Sequence, residues 1–360
     1  NMWTHLMRLL SAFWMSSDMI SNLQMLVVIS YGAIITVNGG MSAGNYIAFI
    51  AYNSLLLWPV RSLGRTIANM SKAGISIDRL RYIMNSEMEE DKPNAVTPDL
   101  LQDIEFKNVS YQYENGTAEV LENVSFKIKA GTTFGILGGT GSGKSTLINL
   151  VPRFFDATAG EILISGVDIK KYPEAILMKR IGYVPQKGYL FAGTVRSNIL
   201  FGVNEGSDES MKKAAKVAQA AEFINKMPEK YESKIAEGGT NVSGGQRQRL
   251  SIARALAKEP EILIFDDAFS ALDMKTDSKL REALKAVTQN TVTLVVAQRI
   301  STIRDAEQII VLDKGKIVGK GSHYELLDKC KVYLEIAKSQ LSDDEIAREL
   351  KISKEKAGRK

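Results

Sequence analysis

The sequence is poor in cysteine and histidine, the side chains that most often form disulfides and metal centres. Its single cysteine, Cys330, excludes an internal disulfide and a cysteine-based metal cluster. An isolated thiol is typical of a protein in a reducing cytosol, and we expect Cys330 to be an inert structural residue. The two histidines are His5 and His323, so the central part of the chain must do its chemistry without an imidazole.

Charge is absent from residues 19–60, which contain no Asp, Glu, Lys or Arg. A bilayer core of about 30 Å needs about 20 apolar residues per helix, so this run has room for two membrane spans. We predict spans at Met19–Val37 and at Tyr46–Val60 with its continuation, joined by the turn-rich segment 38–45. The alternative, a buried hairpin of a soluble protein, accounts poorly for so long a run without charge.

Basic residues follow the second span, and they predict its orientation. The positive-inside bias places that side in the cytoplasm, and the residues are Arg61, Arg65, Lys72, Arg79 and Arg81. The opening segment lacks the basic flank and small-residue cleavage site of a signal peptide. Because the chain starts at Asn1, we expect it to be a piece of a longer membrane protein whose first transmembrane helices lie outside this sequence.

A basic track for nucleic acid is also missing. The formal net charge is +5, but the 46 Lys and Arg are interleaved with 41 Asp and Glu. Mixed charge of this kind is typical of a solvated surface, with some basic excess near the membrane. We therefore expect no nucleic-acid partner.

Four segments follow from the pattern of residues. Residues 1–85 contain the two spans, and the acidic, proline-bearing segment 86–100 predicts an exposed linker. In 101–340, short antiparallel strands come first and strand-like runs then alternate with helical ones, which predicts an α/β domain with a largely parallel sheet and a helical insertion near residues 189–257. Residues 341–360 are a charged tail that opens with the capping box Ser342-x-x-Glu345. We interpret this tail as an amphipathic end helix; half of a helix-turn-helix is the alternative.

The most informative motif is a glycine-rich loop. Residues 138–145 read GGTGSGKS and fit the phosphate-binding pattern G-x-x-x-x-G-K-[ST], between an apolar strand and a helix. Glycines let backbone amides approach phosphate oxygens, Lys144 would bridge the β- and γ-phosphates, and Ser145 would hold Mg²⁺. The predicted nucleotide contacts are Gly138, Gly139, Thr140, Gly141, Ser142, Gly143, Lys144, Ser145 and Thr146.

Three later motifs extend this site. Asp266 directly follows the apolar run Ile262–Phe265. This pattern is typical of a buried strand that places a carboxylate next to a bound metal ion. Gln186 follows a strand-like run, and residues 243–246 read SGGQ at a predicted helix start. These two elements disfavour the alternative for Asp266, an ordinary strand followed by a polar turn.

In this order the motifs resemble the nucleotide-binding domain of ATP-binding cassette (ABC) exporters, over essentially all of residues 101–340. The resemblance implies ATP and Mg²⁺ as cofactors, with Tyr113 stacked on adenine. Gln186 would be the Q-loop glutamine and Asp266 the Walker B aspartate; Ser145, Gln186 and Asp266 would face the metal. Since two such domains close head to tail in the family, the signature residues would act on a partner's ATP: Ser243, Gly244, Gly245 and Gln246.

Residues 1–85 resemble the lead-in and the last two of six transmembrane helices of such exporters. The implied fold is an α-helical transmembrane hairpin followed by an α/β P-loop NTPase domain with a helical subdomain and an antiparallel β subdomain. The implied location is the cell membrane, with the nucleotide-binding domain in the cytoplasm. A lipophilic substrate, as in multidrug efflux, is the family-level expectation.

The sequence departs from the family at the two positions that handle the attacking water and the γ-phosphate. Asp267 replaces the usual glutamate and Gln298 replaces the usual histidine, while Val242 replaces a signature leucine. Loss of one methylene withdraws a carboxylate by roughly 1 to 1.5 Å, and misplacement of that size can cost on the order of 100-fold in rate. We expect Asp267, Gln298 and Gln186 to form a degenerate catalytic group.

This asymmetry resembles heterodimeric bacterial multidrug exporters, in which a second half-transporter carries the complete catalytic set. The intact signature, residues 243–246, would then complete the competent site of that partner. Other interpretations stay open: a homodimer that hydrolyses ATP slowly, an exporter of lipid or peptide, an importer ATPase, or a non-transporting ATP-dependent clamp.

Overall fold

The computed structural model describes residues 2–86, 96–98, 100–114, 116–203 and 206–357. The chain forms two compact units, Asn1–Glu89 and Glu90–Lys360. Of the predicted linker, residues 87–95 and 99 lie outside the described part.

The first unit consists of two long helices, α1 (Met2–Val37) and α2 (Ala43–Met84). The Tyr46 hydroxyl of α2 donates a hydrogen bond to the backbone of α1 at 2.9 Å. The side chains of Gln24 and Asn53 also join the two helices, with an N···O distance of 3.0 Å. These two polar contacts join the otherwise apolar helices to each other.

A glycine allows the close approach of the two helices near their connection. A Cβ atom added at Gly32 would lie 2.7 Å from the ring of Tyr46, so a larger residue would push the helices apart. Pro59 lies inside α2 without ending it.

One helix among the described residues is long and apolar enough to cross a membrane, over Trp3–Val37, with a mean hydropathy of 1.7. The same criterion does not select α2, so the second predicted span, Tyr46–Val60, stays a prediction. At about 1.5 Å per residue the helix α2 is roughly 63 Å long, which exceeds the thickness of a bilayer core.

The second unit combines three sheets with short helices. The strands are β1 (Ile104–Tyr111), β2 (Leu121–Ile128), β3 (Thr133–Gly138), β4 (Ala159–Ile164), β5 (Val167–Asp168), β6 (Ile181–Val184), β7 (Gly193–Thr194), β8 (Lys234–Ile235), β9 (Ile262–Asp266), β10 (Val292–Val296), β11 (Gln308–Asp313) and β12 (Lys316–Gly321). The helices are α3 (Lys144–Asn149), α4 (Glu174–Arg180), α5 (Val195–Ile199), α6 (Asp208–Val217), α7 (Ala221–Lys226), α8 (Gly244–Ala257), α9 (Met274–Val287), α10 (Ile300–Ile303), α11 (His323–Lys329), α12 (Lys331–Lys338) and α13 (Asp343–Ala357).

The central sheet has the strand order β12-β11-β3-β10-β9-β6, and its strands are parallel except for β12. An apolar cluster covers each face of this sheet. Successive side chains of a strand point to opposite faces, so one strand contributes to both clusters. Along β9, Ile262 and Ile264 enter one apolar cluster, whereas Leu263 and Phe265 enter the other. The carboxyl ends of β3 and β9 therefore carry the phosphate loop and Asp266 to the same edge.

The antiparallel sheet, in the order β2-β1-β4-β5, covers one face of the central sheet. Phe126 stacks on Phe106 of the neighbouring strand at 4.4 Å and on Phe134 of the central sheet at 5.0 Å. These three rings connect the two sheets through a single apolar cluster. Sequence reasoning identified β1 and β2 but not β4, β5 or β12.

The helical insertion predicted near residues 189–257 is observed as α5 to α8 with the small sheet of β7 and β8. Its helices pack on α8, which buries Leu250, Ile252 and Ala253. The C-terminal tail is also helical. Ser342 and Glu345 form the predicted capping box at the start of α13, with the Ser342 amide donating to the Glu345 carboxylate at 2.9 Å.

Candidate nucleotide site

The phosphate loop runs from the end of β3 to the start of α3. A Cβ atom at Gly138 would lie 2.3 Å from the Leu312 carbonyl oxygen, so only glycine fits there. Gly143 has a φ of 98°. Residues with a Cβ atom rarely adopt this left-handed backbone conformation, which therefore favours glycine. Between them, Gly139, Thr140 and Gly141 form the exposed part of the loop.

Lys144 folds back over this loop. Its ammonium group donates to the carbonyl oxygens of Gly138 at 2.8 Å and Gly139 at 2.7 Å. Burial lowers the pKa of Lys144, although the neighbouring carboxylates oppose that shift. A buried ammonium with only carbonyl partners is well placed to exchange them for phosphate oxygens.

Asp266 lies at the end of β9, opposite α3. The Ser145 hydroxyl donates to its Oδ1 at 3.0 Å, and the Tyr183 hydroxyl lies 3.3 Å from its Oδ2. Burial raises the pKa of Asp266. The sequence analysis did not predict Tyr183 as a site residue, although it lies in the strand just before Gln186. Of the three side chains predicted to face the metal, Ser145 and Asp266 are thus brought together, whereas the third, Gln186, donates to Asp267.

Asp267 receives two hydrogen bonds on one carboxylate oxygen. Its Oδ2 accepts from Gln186 Nε2 at 3.3 Å and from Gln298 Nε2 at 3.1 Å. The backbone of Asp267 has φ of 47°, a left-handed conformation, and its amide donates to the Val296 carbonyl at 3.0 Å. Burial raises the pKa of this carboxyl group. The three residues predicted as the catalytic group therefore form one connected cluster.

Tyr113 lies beside the phosphate loop. Its hydroxyl is 3.1 Å from Thr146 Oγ1, so the two residues predicted to flank the nucleotide meet. The ring packs edge-on against Tyr111 at 4.9 Å and Phe155 at 5.4 Å. It is 39% exposed, which leaves part of the ring available to a base.

The signature residues begin α8. Ser243 Oγ accepts from the Gln246 amide at 3.2 Å, and Gln246 Oε1 accepts from the Ser243 amide at 2.9 Å, which completes a capping box. The side chain of Gln246 is therefore engaged in the cap. Ser243 and Gly244 are exposed and Gly245 is half-buried. Within the part of the chain that the structure describes, no hydrogen bond joins these four residues to the phosphate loop.

A buried glutamine connects α8 to the Q-loop, which we define as residues 185–188. Gln248 Nε2 donates to the Pro185 carbonyl at 3.0 Å, and Gln248 Oε1 accepts from the Gly188 amide at 3.0 Å. Gln248 is 2% exposed. The side chain thus holds the backbone on both sides of Gln186. Sequence reasoning missed this residue, because a glutamine inside a helix carries no distinctive local signal.

The donor set fits a nucleotide with Mg²⁺. Ser142 Oγ, within the loop, is buried and has no hydrogen-bond partner among the described residues. The loop glycines leave room for oxygen atoms, and a hydroxyl and a carboxylate, Ser145 and Asp266, are typical Mg²⁺ ligands. No group of three or more His, Cys, Asp or Glu side chains among the described residues forms a separate metal site.

Comparisons with known proteins agree with this geometry. Residues 121–270 match the family model described as ABC transporter. The chain is 40% identical over 311 residues to YgaD of Bacillus subtilis, provisionally named a multidrug export ATP-binding/permease protein, and 39% identical over 326 residues to the ATP-dependent lipid A-core flippase of Syntrophus aciditrophicus. These matches cover 86% and 90% of this chain but 54% of each relative, so the chain spans about half the length of the curated relatives it matches.

A solved structure gives the same result. A bacterial Atm1-family ABC exporter with ATP bound superposes with a TM-score of 0.71 at 33% identity, over 93% of this chain and 59% of the exporter chain. The similarity thus extends beyond the ATP-binding domain into the first unit.

Proposed function

We propose that this chain forms part of a half-transporter that couples ATP binding and hydrolysis to the export of a lipophilic substrate. Its match to the ABC transporter family model and its similarity to a solved ABC exporter support this proposal. The first unit would supply two membrane helices of the cytoplasmic membrane, and the second unit would lie in the cytoplasm. Relatives named for multidrug export and for lipid A-core transport support a lipophilic cargo.

Its own nucleotide site would hold ATP with Mg²⁺ and turn it over slowly. Lys144 and the amides of residues 138–146 would bind the phosphates, and Ser145, Asp266 and Gln186 would face the metal. Tyr113 would support the base. Mg²⁺ would neutralise phosphate charge there, as it does in nucleotide hydrolysis generally.

The cluster around Asp267 is the observation that carries this proposal. A general base must reach the attacking water, but the short Asp267 side chain already accepts from the amides of Gln186 and Gln298. Gln298 is a neutral donor and cannot carry a positive charge toward a phosphate. Binding and hydrolysis place separate demands on the pocket, and only the groups for hydrolysis are altered.

The signature supports a contribution to a second chain. The Ser243 hydroxyl, the amides of Gly244 and Gly245 and the N-terminus of the 14-residue helix α8 present donors and positive potential outward. We propose that they contact the γ-phosphate held by a partner half-transporter. That partner would carry the complete catalytic glutamate and histidine.

A homodimer is the second candidate, because the same chain contains an intact phosphate loop and an intact signature. Two copies could then form two equal and slow sites. Co-purification with a distinct half-transporter would favour the heterodimer, whereas measurable ATPase from this chain alone would favour the homodimer.

Two substitutions in the assembled transporter test the proposal. Asp267→Asn should reduce total ATPase only modestly, because the main turnover occurs at the other site. Ser243→Arg should abolish it, since a long cation would block the γ-phosphate contact. Loss of turnover in Asp267→Asn would refute the degenerate site.

The control for Ser243→Arg is Ser207→Arg. Ser207 is also an exposed helix cap, accepting from the Ser210 amide at 3.0 Å at the start of α6. If both arginine variants lost activity equally, a lost helix cap would explain the result and the partner contact would not.

A further inference from the structure

We propose that Gln340 is a positioning residue that, together with helix α13, fixes the backbone that carries Gln298. We call residues 298–304 the switch segment, and Gln340 with α13 the C-terminal brace. The functional part of this inference rests on the proposed function, with Gln298 at the position where the family it resembles contacts the γ-phosphate. Its structural part does not.

The side-chain amide of Gln340 bonds the backbone on both sides of Arg299, immediately after Gln298. Its Oε1 accepts from the Ile300 amide at 2.9 Å, and its Nε2 donates to the Gln298 carbonyl at 2.7 Å. One planar side chain thus satisfies a backbone donor and a backbone acceptor two residues apart, as a neighbouring strand would. Two simultaneous hydrogen bonds restrict the rotation of that short backbone segment.

The far end of the switch segment is held by α13. Glu349 is buried and pairs through Oε1 with the guanidinium of Arg304 at 2.8 Å. Its Oε2 bonds to Nε2 of His323, whose Nδ1 lies 2.6 Å from the Tyr333 hydroxyl. We call these four residues the His323 cluster. Glu349 is anchored by helices α11 and α12, so Arg304 is attached to a fixed point.

The brace acts on the site through Gln298. Just before this residue, the Ala297 amide is fixed to the Ile136 carbonyl at 3.1 Å. The Gln298 side chain then donates to Asp267 at 3.1 Å. With the backbone held at Ala297 and Ile300 and the Arg304 side chain paired with Glu349, the amide of Gln298 has a defined direction. Loss of Gln340 removes the attachment nearest to Gln298 and leaves those at Ala297 and Arg304, and also the hydrogen bond from the Arg281 guanidinium to the Ser301 carbonyl at 2.9 Å.

The experiment uses the assembled transporter with Gln340→Ala and Gln340→Glu. Lys338→Ala, an exposed position on the preceding helix, is the matched control. Gln340→Glu keeps an acceptor for the Ile300 amide but turns an oxygen toward the Gln298 carbonyl. Hydrogen exchange of the peptide that covers residues 298–304 reports the backbone, and stopped-flow dissociation of fluorescent ATP and ADP analogues reports the site.

Gln340→Ala should increase exchange in that peptide about five- to tenfold, since a net hydrogen bond contributes near that factor. It should accelerate release of the triphosphate analogue roughly threefold or more, and leave the diphosphate unchanged, because only the triphosphate offers the group that Gln298 contacts. Gln340→Glu should keep protection at Ile300 but lose the preference for the triphosphate. Lys338→Ala should resemble wild type in both measurements.

Unchanged exchange in Gln340→Ala would overturn the proposal, and so would equal acceleration of triphosphate and diphosphate release. The exchange result is independent of which site hydrolyses ATP. If the degenerate-site proposal failed instead, Asp267→Asn would stop total ATPase while the exchange difference between Gln340→Ala and Lys338→Ala remained.

Discussion

From the proposed degenerate site we predict that Asp267→Glu combined with Gln298→His accelerates hydrolysis at this chain's own site. In Asp267→Glu the carboxylate advances by one C–C bond of about 1.5 Å. That extension is about half the distance from the present oxygen to Gln186 Nε2 and Gln298 Nε2, 3.3 Å and 3.1 Å, so both amides must move aside for the longer side chain. Gln298→His removes one of these amides and supplies a group that can carry a proton.

The expected gain follows from the cost of misplacement. A 1 Å error in a catalytic group can cost about 100-fold, which corresponds to roughly 2.7 kcal/mol of barrier. We therefore expect the double variant to hydrolyse ATP on the order of 100-fold faster than wild type at this site. Asp267→Glu alone should gain less, because the Gln298 amide still occupies the space that the longer side chain needs.

The assay is single-turnover release of phosphate from the assembled transporter. The catalytic glutamate of the proposed partner half-transporter is replaced by glutamine, so that only this chain's site contributes. Any departure in the partner's signature is first restored to Ser-Gly-Gly-Gln, because an altered signature would limit the rate by itself. If the double variant then stayed at the wild-type rate, the cluster around Asp267 would not be what limits hydrolysis.

Two further predictions concern stability. Gly138→Ala should lower Tm, because its Cβ would lie 2.3 Å from the Leu312 carbonyl oxygen, whereas Gly139→Ala should not, because nothing lies within 4 Å of its Cβ. Overpacking costs about 1–3 kcal/mol, and each kcal/mol shifts Tm by roughly 2–4 °C. Equal melting temperatures of the two variants would contradict the packing argument. Burial lowers the pKa of His323, so its contribution to the free energy of unfolding is complete above about pH 6.5 and is lost as pH falls below it. A melting series on acidification should therefore be steeper for wild type than for His323→Gln, and parallel curves would exclude this group as the cause.

Local patterns predicted how the candidate site is arranged where neighbouring residues in the chain remain neighbours in space. The phosphate loop is a strand–turn–helix unit, and Asp266 ends an apolar strand, so both could be placed from periodicity and spacing. The cluster of Gln186, Asp267 and Gln298 required one more step. Parallel strands end at the same edge of a sheet, and the resemblance identified which loops follow them.

Contacts between distant segments could not be predicted in this way. Glu349 looks like any charge on an end helix, yet it is buried against Arg304 and His323. Gln340 lies at an exposed position, and its hydrogen bonds to the backbone of Gln298 and Ile300 depend on how α12 and α13 fold back. The apolar pattern of the tail indicates that a helix forms but not the surface on which it packs.

The Gln248 contacts imply that the Q-loop and the signature move as one rigid body. Gln248 lies five positions after Ser243, which corresponds to about 7.5 Å along the helix axis. A shift of the Q-loop cannot be absorbed by a flexible joint, since both of its sides are bonded to that helix. A displacement at Gln186 would therefore be transmitted to the N-terminus of α8, where Ser243 lies.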